Sequence, residues 1–283
     1  MRRLTRNPSA FVGLVLLCVV VLPSLVGLVA TPFDPTQLDA SVVFSPPSIH
    51  HPFGTDQFGR DLLSRVLAGG HITLSIGLIP IAAALVTGVS LGLVSGFSGG
   101  KLDVAIVTLI DVMLSFPAIL LAMIIVAAIG GGLVPLMIAI AVAWVPLFAR
   151  VARGSTLAIS ARPFVRAAVA LGCSNSQILY RHILPNIAGP LTVLATLALG
   201  DAVLIGSALS FLGLGPPPPT PEWGGILSDS RDFISEGWWL TLFPGVAIAS
   251  SVLGLNLLGD AIRDFLDPTA QVEGVVRKRR GMA

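Results

Sequence analysis

Six runs of about twenty mostly apolar residues set the limits on what this chain can fold into. They are Phe11–Ala30, Ile72–Phe97, Val104–Ile129, Gly132–Phe148, Ile187–Leu212 and Trp239–Leu258. A run of that length spans the hydrocarbon layer as a helix, which satisfies its own backbone where water is absent. Charged residues are 11% of the 283, against roughly a quarter in a soluble domain. The expectation is an all-α polytopic membrane protein with six transmembrane helices.

Glycine and proline are plentiful, at 30 and 21 residues. Glycine lets helices approach closely in lipid, and proline is tolerated where neighbours re-satisfy the backbone. In the second run Ala84, Gly88, Gly92 and Gly96 recur every four residues. That places a ridge of small residues on one helix face, suited to tight packing within the subunit or against a partner. Pro117 and Pro146 are candidate helix breaks.

The chain begins with arginines and runs straight into apolar residues, as a signal peptide does. A signal peptide's apolar core has about 7–15 residues, and this run is longer, so an uncleaved first span is expected. Cys18 and Cys173 fall at different depths and read as packing residues rather than a disulfide.

Six spans put both termini on one side, and positive charge marks the cytoplasmic side. With the termini cytoplasmic, Arg2, Arg3, Arg6, Lys101, Arg150, Arg153, Arg162, Arg166, Arg181, Arg263, Arg277, Lys278, Arg279 and Arg280 lie inside. Only Arg60, Arg65 and Arg231 lie outside, together with Asp34, Asp39, Asp56, Asp61, Glu222, Asp229, Asp232 and Glu236. The expected organisation is then a cytoplasmic start (1–10), a first span (11–30) and an extracytoplasmic segment (31–70). A core transmembrane region (72–262) and a basic cytoplasmic tail (263–283) follow. Leu62, Leu63, Val66 and Leu67 at helical spacing suggest an amphipathic interfacial helix in the 31–70 segment. The run of prolines from Pro216 to Pro219 suggests a stiff, extended loop.

The polar segment within the loop 150–186 is the most informative part. Pro163 suits the first turn of a helix. Phe164, Ala167, Ala168 and Leu171 follow as one apolar stripe, and Gly172 closes the helix as a left-handed cap residue. Ser174 with Gln177 forms a capping box that opens a second helix, which Pro185 is expected to disrupt. A bent pair of short helices at the membrane surface results. Its small, alanine-centred face suits a protein socket better than lipid headgroups, which favour a broader Leu/Phe/Trp face.

No phosphate-binding loop exists, because Lys101 and Lys278 are the only lysines and neither sits in the G-x-x-x-x-G-K-[ST] pattern. His50, His51, His71 and His182 form no metal-ligand spacing, so no metal or cofactor is expected. Ser207 lies within a span without a mid-span histidine, which argues against an intramembrane protease. Asp111 and Asp201 lie in or near spans, where charge is costly and defaults to function; with Ser207 they are candidates to line a translocation path or an interface.

The segment "RAAVALGCSNSQILYRHILPN" resembles the EAA loop of ABC-importer permeases, with Ala167, Ala168, Gly172, Ile183, Leu184 and Pro185 in the matching positions. Arg166 stands where that family usually has Glu. "HPFGTDQFGRDLLSRVLAGG", "DVMLSFP", "LSFLGLG", "PTPEWGGILSDSRDF" and "NLLGDAIRDFLDP" are similar to the second permease of the dipeptide, oligopeptide and nickel importers. The resemblance implies a non-enzymatic subunit of the bacterial inner membrane, pairing with a second permease to import di- or oligopeptides, or nickel and haem-like solutes. It implies two cytoplasmic ATPases docking on residues 163–185, an extracytoplasmic binding protein, and no nucleic-acid partner. A stand-alone secondary transporter is the competing class; it calls for midplane ion sites and inverted repeats, and no clear repeat is seen.

Overall fold

The computed structural model describes residues 8–266, so the arginine-bearing start and the 277–280 basic run lie outside the described residues. Among the described residues there are ten α-helices: α1 (Pro8–Val26), α2 (Leu62–Ser98), α3 (Gly100–Leu114), α4 (Ala118–Ile129), α5 (Leu133–Ser160), α6 (Pro163–Ala170), α7 (Asn175–Gln177), α8 (Leu184–Phe211), α9 (Trp223–Ser230) and α10 (Trp239–Leu266). Among the described residues five helices are long and apolar enough to cross a membrane, and a sixth crossing arises if α3 and α4 are taken together. The bundle has two ends. One carries the acid-rich segments 31–61 and 212–238; the other carries the short joint 99–100 and the basic segment 161–183.

Backbone contact between α2 and α5 is the centre of the bundle. A Cβ on Gly88 would meet Val145 O at 2.7 Å, one on Gly92 would meet Ala149 O at 2.5 Å, and one on Gly96 would meet Arg153 O at 2.9 Å. The small-residue ridge therefore faces α5 of the same subunit. Ile76, Ala84, Leu136, Ile140, Phe148, Ala198 and Leu209 fill the core around this seam, all almost fully buried. Glycine has no side chain to hold the axes apart, and dispersion contact replaces the hydrophobic drive that lipid cannot supply.

The structure departs from the expected spans in three places. Residues 62–70 are not a separate interfacial helix but the first turns of α2, which runs unbroken to Ser98. Asp61 caps it, accepting from Ser64 N at 2.8 Å, and Leu62 and Val66 pack with Trp223, Trp239 and Leu240 rather than with lipid. The run 104–129 is two helices bent by 93°, because Pro117 takes an extended ψ of 135° and removes a backbone donor. Pro146, by contrast, stays inside the continuous helix α5. Finally, Pro185 does not interrupt the second helix of the polar segment. A wide π-helical turn over Ile178–Ile183 carries α7 directly into α8. The wider turn makes room for the proline ring, and Asn186 Nδ2 donates to the carbonyl of His182 at 2.7 Å.

The acid-rich end is closed by buried charge. Arg60 and Arg65 are both nearly inaccessible. Arg60 Nε lies 2.6 Å from Asp56 Oδ2, and Asp229 stands 3.6 and 3.9 Å from the two guanidinium groups. Arg65 Nη1 also donates to the carbonyls of Pro35 and Pro219 at 3.2 and 3.4 Å, tying the two acid-rich segments together. Glu222 is fully buried and caps α9, accepting from Thr73 Oγ1, Gly224 N and Gly225 N at 3.1, 3.0 and 2.8 Å. Burial pushes its carboxyl above the usual range. Trp223 Nε1 donates to Val66 O at 2.8 Å, which fastens α9 to the start of α2.

Substituting Gly92→Leu forces α2 from α5 and is expected to cost about 1–3 kcal/mol. The matched control Gly154→Leu on the open side of α5, where a Cβ meets nothing within 4 Å, should leave stability nearly unchanged. Thermal unfolding in detergent, followed by size-exclusion recovery, checks both.

Candidate functional site

The basic segment folds into a compact hook with its own apolar centre. Val165, Ala168, Ile178 and Ile183 are buried there, and all but Ala168 belong to the main core of the bundle. Helix α6 ends as the sequence dictates. Gly172 takes φ +80°, Gly172 N donates to Val169 O at 3.0 Å and Cys173 N donates to Ala168 O at 3.1 Å. This is the paired-bond C-terminal motif that requires a left-handed residue. Ser174 and Gln177 form the reciprocal capping box. Two tightly specified ends thus fix the bend between α6 and α7, and the π-helical turn makes the hook rigid with α8.

The predicted stripe divides between two faces. Phe164, Ala167 and Leu171 are exposed, Leu171 at 84%, and with Val169 they give α6 an apolar outer surface. Ala168 instead turns inward beside Val165. Helical spacing of i, i+3, i+4 and i+7 describes a face about two positions wide, and the packing side claims one edge of it. Arg166 is exposed on the outer side. Of the other expected residues, Ile183 is buried, Leu184 is half-buried and Pro185 is exposed. The ring of Phe164 sits 6.5 Å from that of His182, bridging the two arms of the hook.

Beside the hook, an open groove of about 530 Å³ runs between α2 and α8, lined by Leu85, Val89, Leu93, Tyr180, Leu191 and Thr192 among others. Neither Asp201 nor Ser207 lines it. Ser207 is buried beneath α9, where a Cβ on Gly224 would approach its carbonyl within 2.3 Å. Asp201 is exposed on α8, next to Gly200, which faces Asn256 of α10. Asp111 forms an ion pair with Arg150 of α5. A stronger pair lies one level nearer the hook: Asp103 accepts from Arg153 Nε and Nη2 at 2.6 and 2.7 Å. Single-sequence reasoning missed Asp103; its only signal was a carboxylate near the end of a span, where an acid is expected to have a partner.

The hook joins α5 to α8, the fourth and fifth crossings of the bundle when α3 and α4 are counted as one. A long membrane bundle with such a rigid hook and no catalytic cluster among the described residues defines a transport subunit. The chain belongs to the family described as binding-protein-dependent transport system inner membrane component, whose model matches residues 88–272. Residues 1–47 match the N-terminal transmembrane domain of oligopeptide transport permease C. The chain is 42% identical to a dipeptide transport system permease protein of Alkalihalophilus pseudofirmus, over 94% of this chain and 88% of that one. It is 42% identical to a probable D,D-dipeptide transport system permease protein of Escherichia coli, over 84% and 80% of the two chains. It is 39% identical to a glutathione transport system permease protein of Pectobacterium atrosepticum, over 78% and 74%. Among solved structures, inward-facing forms of the MetNI methionine ABC transporter share the fold. One gives a TM-score of 0.59 at 20% identity, covering 72% of this chain and 96% of that chain.

Gly172→Ala should destabilise the hook by about 1–2 kcal/mol through backbone strain alone, because a Cβ there meets nothing within 4 Å. Hydrogen exchange of the amides of Gly172 and Cys173 measures it, and the transmembrane amides should be unaffected.

Proposed function

We propose that this chain is one of two permeases forming the path of an ATP-driven importer for di- or oligopeptides. The names of the relatives favour peptides over the nickel alternative, since those at about 40% identity are permeases for dipeptides, D,D-dipeptides and glutathione. The termini and the hook face the cytoplasm, as the placement of the arginines implies. There Phe164, Arg166, Ala167 and Leu171 present the outer face of α6 to a groove on an ATPase subunit. Ala168, Gly172, Ile183, Leu184 and Pro185 hold that face in position. ATP-driven closure of two such ATPases moves the hooks, and the bundle switches between inward- and outward-open states. A binding protein delivers the solute to the acid-rich outer end. Asp201, exposed on the subunit at mid-span, meets the second permease or the solute path, because a carboxylate does not face lipid there.

The observation that carries this reading is Leu171. An apolar side chain 84% exposed at the tip of a rigid, double-capped hook is unfavourable in water and useful against a partner. Leu171→Asp should leave folding intact, since Leu171 is so little buried, yet cut copurification of the ATPase and peptide uptake in proteoliposomes at least tenfold. Undiminished copurification and uptake would remove the hook from the docking role. Arg166 excludes the pairing that a Glu makes with a basic ATPase residue, so this importer's ATPase either carries an acid opposite it or lacks that contact. If the acid is present, Arg166→Glu lowers uptake several-fold; a gain instead would show that Arg166 contacts no acid.

A further inference from the structure

Helix α3 is attached to the bundle differently from every other crossing. Ile110 is the one buried residue among its 15. Its covalent link to α2 is the pair Gly99–Gly100, at φ +63° and +61°, with open space around both. Gly99 N donates to Ser95 O and Gly99 O accepts from Asp103 N, both at 3.3 Å, and with no side chain at either position the joint resists bending less than an ordinary pair of residues would. At its other end α3 turns 93° into α4. Ile110 gives it a single deep apolar anchor, and charge supplies the directed contacts to the bundle. Asp103 takes both Nε and Nη2 of Arg153 and also accepts from Ser95 Oγ at the end of α2. Asp111, two turns further along, pairs with Arg150, one turn from Arg153 on α5. The two arginines stand on the part of α5 that is locked to α2 through Gly92 and Gly96, and α5 continues through Arg162 into the hook.

Any displacement of the hook that moves the end of α5 therefore reaches α3 through these two ion pairs. We propose that Asp103–Arg153 and Asp111–Arg150 form the linkage that carries hook movement to the bent α3–α4 span, which makes all four positioning residues for transport. The proposal rests on the docking role of the hook stated above. A bidentate guanidinium–carboxylate pair suits the task, since it fixes orientation as well as distance.

The test uses the full transporter in proteoliposomes, with second permease, ATPases and binding protein, reading peptide uptake and ATP hydrolysis together. Arg153→Ala should keep ATPase association and hydrolysis within twofold of wild type while uptake per ATP falls at least tenfold. Arg153→Lys, which keeps the charge but loses the fork, should fall between. The exchange Asp103→Arg with Arg153→Asp should recover at least a third of wild-type coupling. Normal uptake per ATP in Arg153→Ala overturns the linkage. So does an exchange variant that regains wild-type thermal stability without regaining coupling, because the pair is then structural only. Leu171→Asp, run in parallel, separates the two levels. If it retains ATPase association, the docking reading fails; if it loses association while Arg153→Ala couples normally, the linkage alone fails.

Discussion

The contact between the backbones of α2 and α5 is the constraint on which the rest depends. In lipid, apolar side chains gain little by meeting each other, so helices associate through close dispersion contact and through polar groups with nowhere else to bond. Three glycines bring α2 so near α5 that a single Cβ would fall 2.5–2.9 Å from a carbonyl oxygen. This seam makes two crossings into one body. The hook extends one of its members, α8 and α4 pack against it, and Arg150 and Arg153 are mounted on it.

Much of this was legible in the sequence because it is local. Apolar runs gave the crossings, since a bilayer fixes their length. Pro163, Gly172, Ser174 and Gln177 gave the hook's ends, since each satisfies a backbone requirement within four residues of itself. The glycine ridge was visible as a period, but its partner was not: a stripe of small residues states that something comes close, not what. The same limit explains the amphipathic reading of 62–70. Leu62 and Val66 at helical spacing show an apolar face, and only the fold shows Trp223 and Trp239 covering it instead of lipid.

Long-range polar pairs were the least legible. Asp103 and Arg153 are 50 residues apart, and Arg65 reaches the carbonyl of Pro219 across 154 positions. No period or cap announces such pairs. The π-helical turn was hidden for a different reason. Pro185 reads as a break because an α-helix cannot supply its missing bond, yet the wider turn closes through Leu184 N to Leu179 O just before it, and Asn186 adds a side-chain bond to His182 O. Only the bend at Pro117 followed the ordinary rule.

The two ends of the bundle are consequently held by different physics. At the acid-rich end Arg60, Arg65, Asp56 and Glu222 are buried; Arg65 bonds to Pro35 and Pro219 and Glu222 to Thr73 and Gly224, while Arg60 bonds to Asp56 within one turn. Breaking such a set leaves uncompensated charge in a poor solvent, so it yields only at high cost and behaves as a rigid collar. At the hook end Arg150 and Asp111 are more than half exposed in the isolated subunit, and a Cβ on Gly99 or Gly100 would meet open space. These pairs hold α3 to α5 by orientation, with few neighbouring side chains packed around them. Under the docking role proposed for the hook, a bundle with a fixed collar and a sparsely packed rim would respond to force at the hook by pivoting about the collar. That movement would be largest at α3, beside the hook end of the bundle, and smallest among the loops at the acid-rich face.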